Sequence, residues 1–136
     1  MINRIIIFDT SIYIDHLRTN KFKKHFENLV GLIRNTSVVL SELHRGAVKK
    51  EERNFISVLS KNHPVLTPTN KNWLESGRLL SKIKKDHGFS PEKIRDLHFD
   101  VLVALTGLNH GATIITSNRK DFELIRNYKY FNLKIW

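Results

Sequence analysis

Short runs of β-branched and aromatic residues recur along this chain, each followed by a segment of helical spacing. That alternation restricts the fold more than any other feature of the sequence. Residues 4–8, RIIIF, have the character of a strand buried on both faces. TSVVL (36–40) and ATIIT (112–116) repeat it, and FNLKIW (131–136) supplies a last strand. Pro64 and Pro68 bracket VLT, which suits a small edge strand or an extended link. Between these runs, SIYIDHLR reads as a short helix. Phe22, Phe26, Leu29, Val30 and Ile33 predict an amphipathic helix over 21–34. Leu43, Val48, Phe55 and Leu59 punctuate a charged helix after Ser41. Asn70 can cap a helix that turns Trp73, Leu74, Leu80 and Ile83 inward, and Ser90-Pro91 suits an N-cap and first helical position. DVLVALTGL reads as an apolar helix opened by Asp100 and running to Gly111, and RKDFELIRN as a short one. Strands alternating with helices predict an α/β domain with a mainly parallel sheet and right-handed crossovers.

The chain's 136 residues suit a single domain, 1–136, around one core. With no cysteine, a disulfide framework and a thiolate metal site are excluded. The apolar run after Arg4 is too short for a signal peptide or a membrane span, so the expectation is a cytoplasmic protein with no membrane partner. Lysine and arginine total 23 against 13 acids, a net charge of +10. Such a surface draws binding energy from phosphate backbones, which points to nucleic acid. A merely solvated face, an acidic protein or an anionic membrane are the other uses of that charge.

In parallel sheets, ligands bind beyond the carboxyl ends of the strands. Asp9 follows the first strand, Ser41-Glu42 the second, and Ser117-Asn118 the ATIIT strand, with Asp121 one turn further on. Asp100 opens the helix that feeds that strand. Asp9, Glu42, Asp100 and Asp121 are thus expected to meet at one rim. Four neighbouring carboxylates repel one another, and a divalent cation removes the conflict. Mg²⁺ and Mn²⁺ prefer such oxygen ligands and assist chemistry on phosphate esters. Each acid has a plainer alternative: Asp9 and Asp100 as helix caps, Glu42 as a first-turn residue favoured by the helix dipole, Asp121 as a cap or a partner of Arg119 or Lys120.

The segments IIIFDTS, LSELHRGA and HFDVLVALTGLNHGATIITSNRKDF together resemble the PIN-domain family, and within it the small VapC-type toxins of prokaryotic toxin–antitoxin pairs. The resemblance runs over almost the whole chain, and GATIITSNRKDF is its most specific part. It implies a three-layer α/β/α fold with four or five mainly parallel strands. It implies an Mg²⁺-dependent endoribonuclease, with Mn²⁺ able to substitute, whose catalytic and metal-binding residues are Asp9, Glu42, Asp100 and Asp121. Thr10, Ser11, Thr116 and Asn118 would orient them by hydrogen bonds. It also implies an RNA substrate, a homodimer, a cognate antitoxin and growth arrest. Leu105 and Thr106 are bulkier than the alanines usual in that helix.

Two other readings fit parts of the pattern. A phosphatase of the haloacid dehalogenase type also begins with a strand and an aspartate, but would want a second aspartate at position 11, which is serine. A non-catalytic nucleic-acid-binding or interaction module could keep the fold without the chemistry. None of the seven histidines forms a convincing metal-binding pair. His44 and His98 lie near Glu42 and Asp100, and either could approach the rim. Phe99 and Trp73 could stack on bases or pack in the core. Lys49-Lys50 and the lysines of 82–85 suit solvated faces or contact with RNA backbone. Phe22, Phe26 and Tyr13 suit the core, a dimer surface or an antitoxin surface.

Overall fold

The computed structural model describes residues 4–136. Strand β1 (Ile5–Phe8) leads into α1 (Thr10–Thr19) and the short α2 (Lys23–Glu27). Then come β2 (Leu32–Thr36), α3 (Ser37–Gly46), α4 (Lys50–Asn62) and the two-residue β3 (Val65–Leu66). Helices α5 (Asn70–His87) and α6 (Pro91–Asn109) precede β4 (Thr113–Thr116), α7 (Arg119–Arg126) and β5 (Asn132–Ile135). The sheet has five strands in the order β3-β2-β1-β4-β5, and every pairing is parallel. This is the expected α/β architecture, with helices on both faces of the sheet.

Strands β1 and β4 are apolar on both sides because both sides are covered. Ile6, Ile7, Phe8, Ile114 and Ile115 are all buried. On one face, Ile7 and Ile114 meet α6 at Gly107, where a Cβ would stand 2.6 Å from Ile114 Cδ1. The absent side chain lets the helix lie close to the sheet. The other face carries Phe8, whose ring packs edge-on against Tyr13 of α1 and Phe26 of α2. Trp136 closes this aromatic cluster, 5.3 Å from the rings of Phe8 and of Phe26. Helix α6 is buried through Val101–Gly107, so it is the central helix of its layer.

Four expectations need correction. Residues 21–34 are not one helix: α2 spans only Lys23–Glu27, and β2 already begins at Leu32. Gly31, at φ +153°, turns the chain there in a conformation that a side chain resists. TSVVL is not the second strand. Thr36 ends β2 and its Oγ1 accepts from the Val39 N–H at 3.0 Å, so this side-chain cap starts α3 and Val38 and Val39 are helical. The charged segment after Ser41 is divided between α3 and α4, with the break at Ala47–Lys49. Asp100 opens no helix of its own: DVLVALTGL is the second half of α6, which runs from Pro91 to Asn109, so Asp100 lies mid-helix and caps nothing.

Smaller shifts have local causes. Thr69, not Asn70, caps α5, through reciprocal bonds with Asn72. Trp73 and Leu74 are about half exposed, whereas Leu80 and Ile83 are buried as expected. Ser90 accepts from the Lys93 N–H at 3.2 Å and Pro91 is the first helical residue, as expected. Among the described residues, no helix is long and apolar enough to cross a membrane.

Gly31 sets the entry angle of β2 beside β1. A Cβ there would stand 2.5 Å from Ile6 Cδ1 and 2.9 Å from the Arg4 carbonyl oxygen. Gly31→Ala is expected to lower unfolding free energy by roughly 1–3 kcal/mol, measured by urea denaturation.

Candidate active site

The strand order reverses direction between β1 and β4, the place where open parallel sheets bind ligands. The first residues beyond these two strands are Asp9 and Ser117. The Asp9 N–H still bonds to the Ile115 carbonyl at 2.9 Å, which ties the end of β1 to β4. Asp9 Oδ2 then gathers three donors: Ser11 Oγ at 2.8 Å, Thr116 Oγ1 at 2.9 Å and, more weakly, the Ser11 N–H at 3.4 Å. Asp9 therefore does cap α1, and it does so with a carboxylate clamped to β4. Thr116, fully buried, also accepts from the Asn118 N–H at 2.9 Å, so one hydroxyl joins β1, β4 and the turn before α7.

The other acids arrive from separate elements. Glu42 projects from α3, with Oε1 accepting from Thr10 Oγ1 at 2.8 Å. Asp121 sits in the first turn of α7. Its Oδ2 accepts from Asn118 Nδ2 at 3.1 Å, and its Oδ1 is 2.7 Å from Lys93 Nζ. Asp100 faces the same space from the middle of α6, and none of the described residues donates a hydrogen bond to its carboxylate. All four acids line one cleft of about 690 Å³, together with Thr10, Ser11 and Asn118. The four polar residues expected beside the acids thus all bond to them or to one another around this cleft.

The electrostatics follow from enclosing like charges. Burial raises the pKa of Asp9 against the pull of its hydrogen bonds. Burial raises that of Glu42 as well, opposed by Thr10 and reinforced by Asp9. Asp100 is pushed well above the carboxylate range, first by burial and then by Asp9, Glu42 and Asp121, with Lys93 opposing. Oxygen donors that repel one another suit a hard divalent cation. Among the described residues, no three carboxylates or imidazoles draw together tightly enough to chelate an ion.

The cleft wall adds residues of a different kind. Phe99 lines it, with the Arg45 guanidinium 5.4 Å from the ring centre, and Arg95, Asp96 and His98 complete that side. His98 bonds to Ser76 Oγ at 3.1 Å, and burial lowers its pKa, which favours the neutral ring. His44 does not line the cleft. Trp73 stands against His98 rather than in the core, 5.8 Å between ring centres. Lys93 was not foreseen, although it lies seven residues before Asp100 in one helix. That spacing returns a side chain to the same face after two turns.

A carboxyl whose pKa rises on folding keeps its proton where the unfolded chain has released it. Stability therefore falls as pH climbs from the ordinary carboxylate range towards the raised pKa, and the full cost persists above it. With chelator present, Asp100→Asn should raise the melting temperature at pH 7.5, by on the order of 3 °C for each kcal/mol relieved. The gain should shrink as pH falls through the ordinary carboxylate range and vanish below about pH 3, where both states of the natural chain hold the proton. Calorimetry across this pH range checks it.

Comparison with known proteins adds a family and a fold. The family model described as PIN domain matches residues 6–127. No curated protein matches the chain. Among solved structures, VapBC2 from Rickettsia felis, bound to a DNA fragment from its promoter, is similar with a TM-score of 0.70 at 22% identity, covering 97% of this chain and 98% of that one. DNA-bound VapBC from Salmonella typhimurium is similar with a TM-score of 0.68 at 17% identity, covering 98% of each chain. VapBC-5 from Mycobacterium tuberculosis, a member of a toxin–antitoxin family, gives 0.55 at 17% identity over 96% of each chain. At these identities the likeness is one of fold.

Proposed function

The chain belongs to the PIN domain family, and on that premise we propose that it is a divalent-metal-dependent endoribonuclease, the toxin of a toxin–antitoxin pair. The observation that carries this reading is the meeting of Asp9, Glu42, Asp100 and Asp121 in one cleft of a chain with net charge +10. Acids that weaken folding and sit amid a basic surface fit a role in chemistry better than a role in stability.

Asp9, Glu42, Asp100 and Asp121 would hold Mg²⁺ or Mn²⁺. When bound, such an ion supplies a water of lowered pKa and positive charge towards a phosphoryl oxygen. The chain's own residues prepare the ligands. Ser11 and Thr116 fix Asp9, Thr10 fixes Glu42, and Asn118 fixes Asp121. Asp100, with no donor of its own, carries the strongest demand for a cation. Arg45 and Arg95 on the cleft wall can meet phosphates, and Phe99 offers an aromatic surface to a base.

The partner reading rests on a second surface. An apolar groove between α1, α3 and α4 is lined by Ile14, Leu17, Leu43, Ala47 and Ile56 and includes Glu42 itself. Leu17 is 43% exposed there. An antitoxin segment laid in this groove would reach the acids, as the antitoxin-bound state of a toxin requires. The similar structures are of VapBC, one described as a member of a family of toxin–antitoxin systems, which supports such a partner; a homodimer, an RNA substrate and a cytoplasmic location belong to the same proposal. A binding module without chemistry is the alternative. It would hold RNA equally well with or without metal.

The deciding measurement incubates the purified chain with total RNA and Mn²⁺ or Mg²⁺, and maps the new ends. Chelator should stop the cleavage. Asp9→Asn should lower the rate by more than about 100-fold, since even partners of metal ligands are worth roughly 10–100-fold. Its circular dichroism and melting temperature should match or exceed those of the natural chain. Undiminished cleavage by this variant would overturn the assignment.

A further inference from the structure

Lys93 places a positive charge against Asp121 at the border of the acidic cleft, from the neighbouring pocket that shares Asp121 with it. Its Nζ is 2.7 Å from Asp121 Oδ1, while Asn118 Nδ2 takes the other oxygen at 3.1 Å. Both oxygens of Asp121 are thus engaged, one by a cation. The pair is sheltered, with side chains 31% and 15% exposed, so water screens it less than a surface ion pair. Glu42 and Asp9 are held differently. Their donors are the hydroxyls of Thr10, Ser11 and Thr116 and a backbone N–H, which leave the carboxylate charge uncancelled. Asp100 has no donor among the described residues, and Lys93 is the cation whose charge reaches it.

The site is therefore divided. On one side, Asp9, Glu42 and Asp100 form no ion pair among the described residues, although the charge of Arg45 reaches Glu42 and that of Lys93 reaches Asp100. On the other, Asp121 already has its counter-charge. Resting on the reading of this cleft as a metal site, we infer that it takes one divalent cation, on the side of Asp9, Glu42 and Asp100, and that the Lys93 ammonium stands in place of a second, beside Asp121. A second dication at Asp121 would have to displace the ammonium or lie against it, and like charges at such distances repel strongly in a sheltered cleft. The chemistry suits lysine: an ammonium is a compact point charge on a flexible stem, able to hold Asp121 from the neighbouring pocket. Lys93 can be placed so because α6 presents it two turns before Asp100 on one face, and Ser90 and Pro91 fix the start of that helix.

The test counts ions rather than turnover. Mn²⁺ is titrated into the full chain at pH 7.5 by calorimetry, with electron paramagnetic resonance to detect paired ions. The natural chain should bind one equivalent and show no coupled pair. Lys93→Met and Lys93→Gln should each admit a second equivalent, at least about tenfold tighter than any second binding to the natural chain, because the competing charge is gone. Lys93→Arg, which keeps the charge, should stay at one. Lys93 is partly exposed, and the melting temperature of each variant verifies its fold. Two equivalents in the natural chain, or one in both neutral variants, overturns this inference and leaves the metal-nuclease reading intact. No Mn²⁺ binding to any of them overturns both.

Discussion

Like charges forced together at the end of a sheet are the constraint around which this molecule is arranged. The core brings the acids to one place whether or not they tolerate it. Buried β1 and β4 carry Asp9 and Thr116 to adjacent strand ends, and α6, packed on the sheet through Gly107, brings Asp100 to the same space. Hydrophobic burial over the sheet is large compared with the repulsion at its rim, so the fold can sustain the conflict. Hydroxyls then do the local work. Thr10, Ser11 and Thr116 give each clamped carboxylate a fixed direction without cancelling its charge.

The alternation of strands and helices was legible because parallel strands covered on both faces must be apolar throughout, and RIIIF and ATIIT are. Asp9 was legible because a charge directly after such a run has nowhere to go but the rim, whereas Glu42, Asp100 and Asp121 reach it from helices. What misled was the same chemistry without its context. Val38 and Val39 favour a strand by propensity, yet the Thr36 side chain caps a helix over them and tertiary burial settles the matter. Phe22, Phe26, Leu29 and Ile33 do face apolar surroundings at helical spacing, but they belong to a short helix, a loop and a strand that all lie over the same core. Asp100 reads as a helix start only because the polar first half of α6 hides its periodicity. Its true start, Ser90-Pro91, was plain from capping chemistry.

Lys93 shows a different limit. Sequence patterns find acids readily because four of them need one explanation, whereas a single lysine among 23 basic residues carries no such signal. Only the packing of α6 against α7 distinguishes it from the solvated lysines elsewhere. The net charge counts the cations of the chain and is silent about which ammonium lies against Asp121.

The two-residue strand β3, between Pro64 and Pro68, bears on how copies of this chain can meet. Proline has no N–H to offer an incoming backbone, and two paired residues are too few to template another strand. That border of the sheet is closed to fibre-like stacking and to swapped strands. Any assembly on that flank must be built side chain to side chain, through helical faces, where a few substitutions suffice to retune which partner fits.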